Sequence, residues 1–135
     1  MESAAPSPFL EVPEAEWLCA SALAFAIYDQ FPVSPGHVLV ITRRVVPTYF
    51  DCTAEEQAAL MELVGEVKRL LDQRKPKPNG YNVGFNSGTA AGQTVPHVHV
   101  HVIPRYAGDM PVPIFPHHRA GPAALVPSGR PAAGG

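Results

Sequence analysis

Apolar positions recur along this chain with two different periods, and the two periods divide it into elements. Leu60, Leu63, Val64, Val67, Leu70 and Leu71 repeat at helical spacing, with Glu62, Glu66, Lys68 and Arg69 mostly off the stripe. Thr53 with Glu56 three residues later forms a capping box, so the pattern predicts a helix from about Ala54 to Gln73, its apolar stripe packed on a sheet. Leu23 to Tyr28 is a short apolar run, and His37 to Thr42 is rich in β-branched residues. The turn cluster Phe31 to Gly36, with Pro32, Ser34, Pro35 and Gly36, joins them into a predicted antiparallel hairpin. Two further strands are predicted over Tyr81 to Phe85, after the Lys75 to Gly80 turn, and over His97 to Ile103. Pro13 to Glu16 reads as the start of a short helix or turn, and Met1 to Pro8 as a frayed or loosely docked arm. Strands, one long helix, then strands give an α+β domain built on an antiparallel sheet. Prolines at 111, 113, 116, 122, 127 and 131 then leave little room for regular structure. The expected organisation is one domain over 1–110 and a Pro-rich irregular arm over 111–135.

Composition narrows the class. A chain of 135 residues, 46% hydrophobic and 16% charged, builds one core and is not a disordered chain. No internal repeat is found. The net charge of −2 argues against a broad electrostatic grip on nucleic acid or an anionic membrane, so neither is expected as a partner. No apolar run approaches a membrane span, and Met1 to Pro8 lacks the features of a signal peptide; the expected location is the cytoplasm. Cys19 and Cys52 are single and far apart, which signals neither a redox pair nor a cysteine zinc site.

The candidate chemistry lies in His97-Val98-His99-Val100-His101-Val102. On a strand, strict alternation sends the valines to the core and all three imidazoles to the other face, about 6–7 Å apart. Two functional readings follow. Histidines two apart on a strand can share a metal ion, with His37, Asp51, His117 or His118 as further ligands, though none stands at a recognisable metal spacing. Alternatively, a neutral imidazole can attack phosphorus and form a covalent intermediate, its other nitrogen holding a proton fixed by a hydrogen bond. The loop upstream, Asn86-Ser87-Gly88-Thr89-Ala90-Ala91-Gly92-Gln93-Thr94, carries glycines and small residues that let backbone amides approach an anion, and it carries no carboxylate. It resembles a phosphate cradle more than a metal site.

Gly92-Gln93-Thr94-Val95-Pro96-His97 and the run on to Ile103-Pro104-Arg105 closely resemble the signature of the histidine triad (HIT) superfamily, His-φ-His-φ-His-φ-φ with φ apolar. The Gly-Gln-Thr and Pro-Arg flanks are most similar to the branch of fragile-histidine-triad proteins and bacterial diadenosine-polyphosphate hydrolases. Phe25 to Asp29, followed by Pro32 to Val40, resembles that family's nucleoside-binding hairpin, and about 8–113 can be laid on the family pattern. The resemblance implies a HIT-like fold of about five antiparallel strands with one long and one short N-terminal helix, in a homodimer. It implies His99 as the nucleophile that takes a nucleotidyl group at the α-phosphate, flanked by His97 and His101, which support its orientation and the phosphate charge. His37 matches a further family histidine, as a structural residue or a phosphate contact. Asp29 matches a ribose-holding position, Gln93 and Thr94 with Gly92 the loop at phosphate and leaving group, and Asn86 a phosphate-side asparagine.

The implied substrate is a dinucleoside polyphosphate or a nucleoside phosphoramidate. The nucleophile needs no cofactor, and a divalent metal would enter only with the nucleotide. A third histidine separates the chain from hexose-1-phosphate uridylyltransferases, which typically carry glutamine there, and favours hydrolysis. Some bacterial members bind zinc through paired cysteines near the N-terminus, where this chain has only Cys19. The segment Val112 to Arg119 departs from the family in a region that helps set substrate choice. A nucleotide-binding sensor or interaction module with weak catalysis, and a metal enzyme using His97 and His99 as ligands, stand as the alternatives.

Overall fold

The computed structural model describes residues 7–109, so the arm at 111–135, with His117 and His118, lies outside the described residues. Within them five strands form one antiparallel sheet: β1 (Cys19–Ala20), β2 (Ala24–Tyr28), β3 (Val38–Thr42), β4 (Gly80–Gly84) and β5 (His99–Arg105), in the spatial order β1-β2-β3-β5-β4. One long helix, α1 (Ala54–Leu71), lies between β3 and β4 in the chain. Short 3-10 turns at Pro8–Glu11 and Glu14–Glu16 precede β1, and others occupy Tyr49–Asp51 and Thr89–Ala91. The α+β fold with an antiparallel five-stranded sheet and one main helix is therefore the fold that the sequence pattern predicts.

Both faces of the sheet are covered, which is why β2 and β3 read as continuous apolar runs. On one face Ala24, Ala26, Val38, Val40, Val98, Val100 and Val102 meet Leu60, Leu63, Val67 and Leu71 of α1. On the other, Phe25, Ile27, Leu39 and Ile41 pack under Phe9, Val12 and Trp17 from the N-terminal turns. Thr53 and Glu56 close the capping box of α1, and the buried Glu56 also takes a bidentate bond from Arg44 at 2.8 and 2.9 Å. That pairing lets a carboxylate sit inside the core, and it holds the Glu56 carboxyl below the usual carboxylate range.

Register fixes the site. Leu39 stands opposite His101 and Ile41 opposite His99 across β3 and β5, while Gly84 faces His101 from β4. A one-residue slip would exchange the two faces of the whole strand.

The structure corrects several boundaries. α1 ends at Leu71, two residues before Gln73, because Gln73 and Arg74 bond three residues back and tighten the last turn. Leu70 is exposed rather than part of the buried stripe. β5 begins at His99 rather than His97, since the amide of His97 turns back to the Val95 carbonyl and that of Val98 bonds to Val46. The last residues of the N-terminal arm are not loosely docked: Ser7 is buried.

Candidate active site

The site is a cleft of about 750 Å³ on the face of the sheet away from α1. Phe9, Val12, Ile27 and Leu39 give it an apolar end that reaches the histidines, with Phe9 edge-on to His99 and Leu39 opposite His101; Asp29 stands in its wall at the end of β2. Beside this end stand His99, His101, Asn86, Gly92 and Thr94. Gly92 closes the Thr89–Ala91 turn with φ of +98°, a backbone conformation that side-chain-bearing residues rarely adopt, so a glycine is required for the loop to turn there.

The three triad histidines do not share one environment. Only His99 and His101 face the cleft. His97 keeps the side that the alternation gives it, with Val98 in the α1-side core, but it is completely buried because Ser7 and Phe9 of the N-terminal segment cover it. The expectation of three imidazoles in a row lining the cleft is thus corrected to two.

Hydrogen bonds assign every ring. A carbonyl oxygen only accepts, so the 2.7 Å contact from His97 Nε2 to Thr42 O places the proton on Nε2. His97 Nδ1 then accepts from the Ser7 hydroxyl at 2.7 Å. In the same way, His99 Nδ1–H donates to the His97 carbonyl at 2.8 Å, leaving the Nε2 lone pair free on the cleft side. His37 Nδ1 accepts from the Val33 amide at 3.1 Å, so its Nε2–H donates to His101 Nδ1 at 3.0 Å, and His101 keeps a proton on Nε2. His37 is 2% exposed and stays out of the cleft. It stands behind His101, bonded to that ring.

Burial lowers the pKa of His37 and of His97, and it pushes that of His101 down to about 4, with the nearby His99 and His37 rings adding to the fall. These three rings stay neutral in the fold at pH values where the unfolded chain takes up protons. Their contribution to stability is therefore complete above the ordinary histidine value of 6.5 and is lost as the pH drops toward 4. Urea midpoints should decline from about pH 7 to about pH 5, and the unfolding free energy extracted from them should fall with a slope approaching about 1.4 kcal/mol per pH unit for each proton taken up. A midpoint that is flat across this range would contradict the buried neutral rings.

The remaining predicted residues divide. Asp29, Asn86, Gly92 and Thr94 line the cleft with His99 and His101. Gln93 does not: its Nε2 donates to the carbonyls of Pro47 and Val95 at 2.6 and 2.9 Å, and its Oε1 accepts from the Gly88 amide at 2.7 Å. Its amide holds the loop in shape. Asp29 Oδ1 accepts from the Phe31 amide at 2.8 Å, and Oδ2 lies 3.5 Å from His37 Nε2.

Metal binding by His97 and His99 together does not fit this geometry, because both nitrogens of His97 and Nδ1 of His99 are already committed to hydrogen bonds. Asp51 caps its own turn through Thr48. Among the described residues, Asp29, His37 and His101 do bring three donor atoms within 4.8 Å of one another, but the amide bond at His37 Nδ1 leaves a proton, not a lone pair, on the nitrogen that faces them. Cys19 belongs to no such group among the described residues. Sequence reasoning missed Ser7, Phe9, Val12 and Glu16 as neighbours of the site; they lie about ninety residues from the triad, and no local pattern marks them.

Comparison with known proteins agrees with this arrangement. The family described as HIT domain matches residues 12–108. A Mycobacterium tuberculosis protein named AP-4-A phosphorylase is 38% identical over 114 residues, covering 79% of this chain and 58% of its own length. The bis(5'-nucleosyl)-tetraphosphatase (asymmetrical) of Schizosaccharomyces pombe is 42% identical over 87 residues, covering 64% of this chain and 47% of its own. The chain thus spans about half the length of these curated relatives. The crystal structure of the Caenorhabditis elegans NitFhit protein superposes with a TM-score of 0.69 at 36% identity, over 76% of this chain and 25% of that one. A matched family domain over residues 12–108, carried on a sheet that presents His99 and His101 to one cleft, establishes that this chain belongs to the HIT domain family.

Proposed function

We propose that this chain is a nucleotide hydrolase or nucleotidyl transferase that cleaves at the α-phosphate through a covalent nucleotidyl-histidine on His99. The observation that carries the reading is the bond from His99 Nδ1–H to the His97 carbonyl, which fixes the tautomer and aims the Nε2 lone pair into the cleft. That lone pair attacks the α-phosphorus, the bond from phosphorus to the leaving group breaks, and its electrons leave with the departing atom. His101 Nε2–H faces the group on which that charge develops. The His99 ring then carries positive charge, held by the His97 carbonyl dipole, until an acceptor breaks the P–N bond and returns the lone pair. The apolar end of the cleft takes the base, Asp29 accepts from ribose hydroxyls, and Asn86, Gly92 and Thr94 surround the phosphates. The nucleophile needs no cofactor; a divalent metal enters with the nucleotide.

Dinucleoside polyphosphates are the substrate class that the names of the relatives favour, and nucleoside phosphoramidates fit the same chemistry. The proposal includes a homodimer, with a second copy on the β4 edge of the sheet, where Val83 is 45% exposed. Purified protein should sediment at twice the chain mass. Incubated with diadenosine tetraphosphate or adenosine phosphoramidate, it should gain the mass of one adenylyl group, mapped to His99 without acid. Added inorganic phosphate distinguishes the acceptors: hydrolysis yields adenosine monophosphate throughout, and phosphorolysis yields adenosine diphosphate. Turnover with no adduct on His99 under single-turnover sampling would overturn the covalent step.

A further inference from the structure

We infer that Ser7 is a positioning residue for the nucleophile, acting through His97 from the N-terminal edge of the domain. The inference rests on the reading of His99 as nucleophile and adds a residue to it. The carbonyl that orients His99 belongs to His97, so the site needs that residue held still. Its ring is completely buried and has two polar nitrogens to satisfy. Thr42 O takes one of them, and among the described residues Ser7 Oγ alone takes the other. The hydroxyl works in both directions: it donates to His97 Nδ1 and accepts from the Phe9 amide at 3.2 Å. Ser7 itself is 4% exposed.

The bond to Phe9 ties this lock to the cleft. The Phe9 ring lies edge-on to His99 with centroids 5.0 Å apart, contacts His97 at 5.6 Å, and lines the apolar end of the pocket. Residues 7 to 9 thus form a clasp over the histidine segment, pinned to its back by Ser7 and to its face by Phe9. Removing the hydroxyl leaves a buried lone pair on His97 with no partner. The ring must then rotate or admit a water, and either change moves the carbonyl that holds His99 Nδ1–H. A small misplacement of a nucleophile costs rate without an equal cost in binding.

Ser7→Ala should lower kcat about 10- to 100-fold while KM changes by less than about twofold. Ser7→Thr, which keeps the hydroxyl, should recover most of the lost kcat. Nitrogen NMR of the resting protein gives a readout that does not depend on turnover. In the wild type, His97 should show an unprotonated Nδ1 and His99 a protonated Nδ1, and in Ser7→Ala the His99 Nδ1 proton should exchange faster and shift. If the wild type turns over no nucleotide, the reading of the site fails, while the nitrogen spectra still decide whether Ser7 orders His99. Unchanged His99 nitrogen signals in Ser7→Ala, with kcat either intact or falling only in step with thermal stability, would overturn the inference. So would a Ser7→Thr variant as slow as Ser7→Ala.

Discussion

His99→Ala should reduce turnover of a dinucleoside polyphosphate by at least about a thousandfold while leaving nucleotide binding nearly unchanged. The two halves of this expectation come from different parts of the cleft. On the proposed mechanism affinity comes mainly from Val12, Ile27 and Leu39 at the apolar end and from the carboxylate of Asp29, while Phe9, which packs edge-on to the His99 ring, accounts for the small loss expected in binding. On that mechanism rate resides in one lone pair. Among the described histidines none can take over, because His101 points a proton into the cleft and His97 is buried with both nitrogens bonded. The measurement is kcat for the variant beside a titration with adenosine monophosphate. A variant that binds but is inert supports covalent catalysis by His99; one that retains wild-type kcat would remove that mechanism.

Phe25→Ala should destabilise the domain by about 3–5 kcal/mol, a large share of the roughly 5–15 kcal/mol available to a domain of this kind. Phe25 is completely buried at the centre of the smaller core cluster. Its ring stacks on Trp17 with centroids 4.4 Å apart and planes 21° from parallel, and Arg43 lies over the far side of the same indole at 5.1 Å. Truncation leaves a cavity that β2 and β3 cannot close, since both are bonded on either side within the sheet. Ile27 and Leu39 belong to this cluster and also form the apolar end of the cleft. The variant should therefore bind nucleotide more weakly as well as unfold earlier in urea. A loss below about 1 kcal/mol would mean that the cluster is not the closed core described here.

Much of this architecture is written locally. Thr53 and Glu56 mark the start of α1, and the turn cluster before His37 fixes the β2–β3 hairpin, because caps and turns depend on residues a few positions apart. Asp29, Asn86, Gly92, Thr94, His99 and His101 are legible as one site through their resemblance to a known pattern. The missed features are of two kinds. Alternation puts His97 on the same side as His99, but no local signal tells that residues 7 to 9 fold over it. The place of Gln93 in the loop suggests a phosphate contact, where the fold instead uses its amide to bind three backbone groups. Ser7 and Phe9 were out of reach altogether, since nothing local in Ser-Pro-Phe announces a partner about ninety residues away.

The His37–His101 ring pair in the wall of the cleft sets a direction for protons. His101 can draw on the Nε2–H of His37, but His37 is bonded on its inner side to the Val33 amide, which has no proton to release. The chain is closed at that end. On the proposed mechanism, neutral His101 therefore hydrogen-bonds the departing group through Nε2–H and keeps its proton, and the proton that group finally takes comes from solvent at the mouth of the cleft. Neutralising the leaving group and admitting the second reactant then share one route.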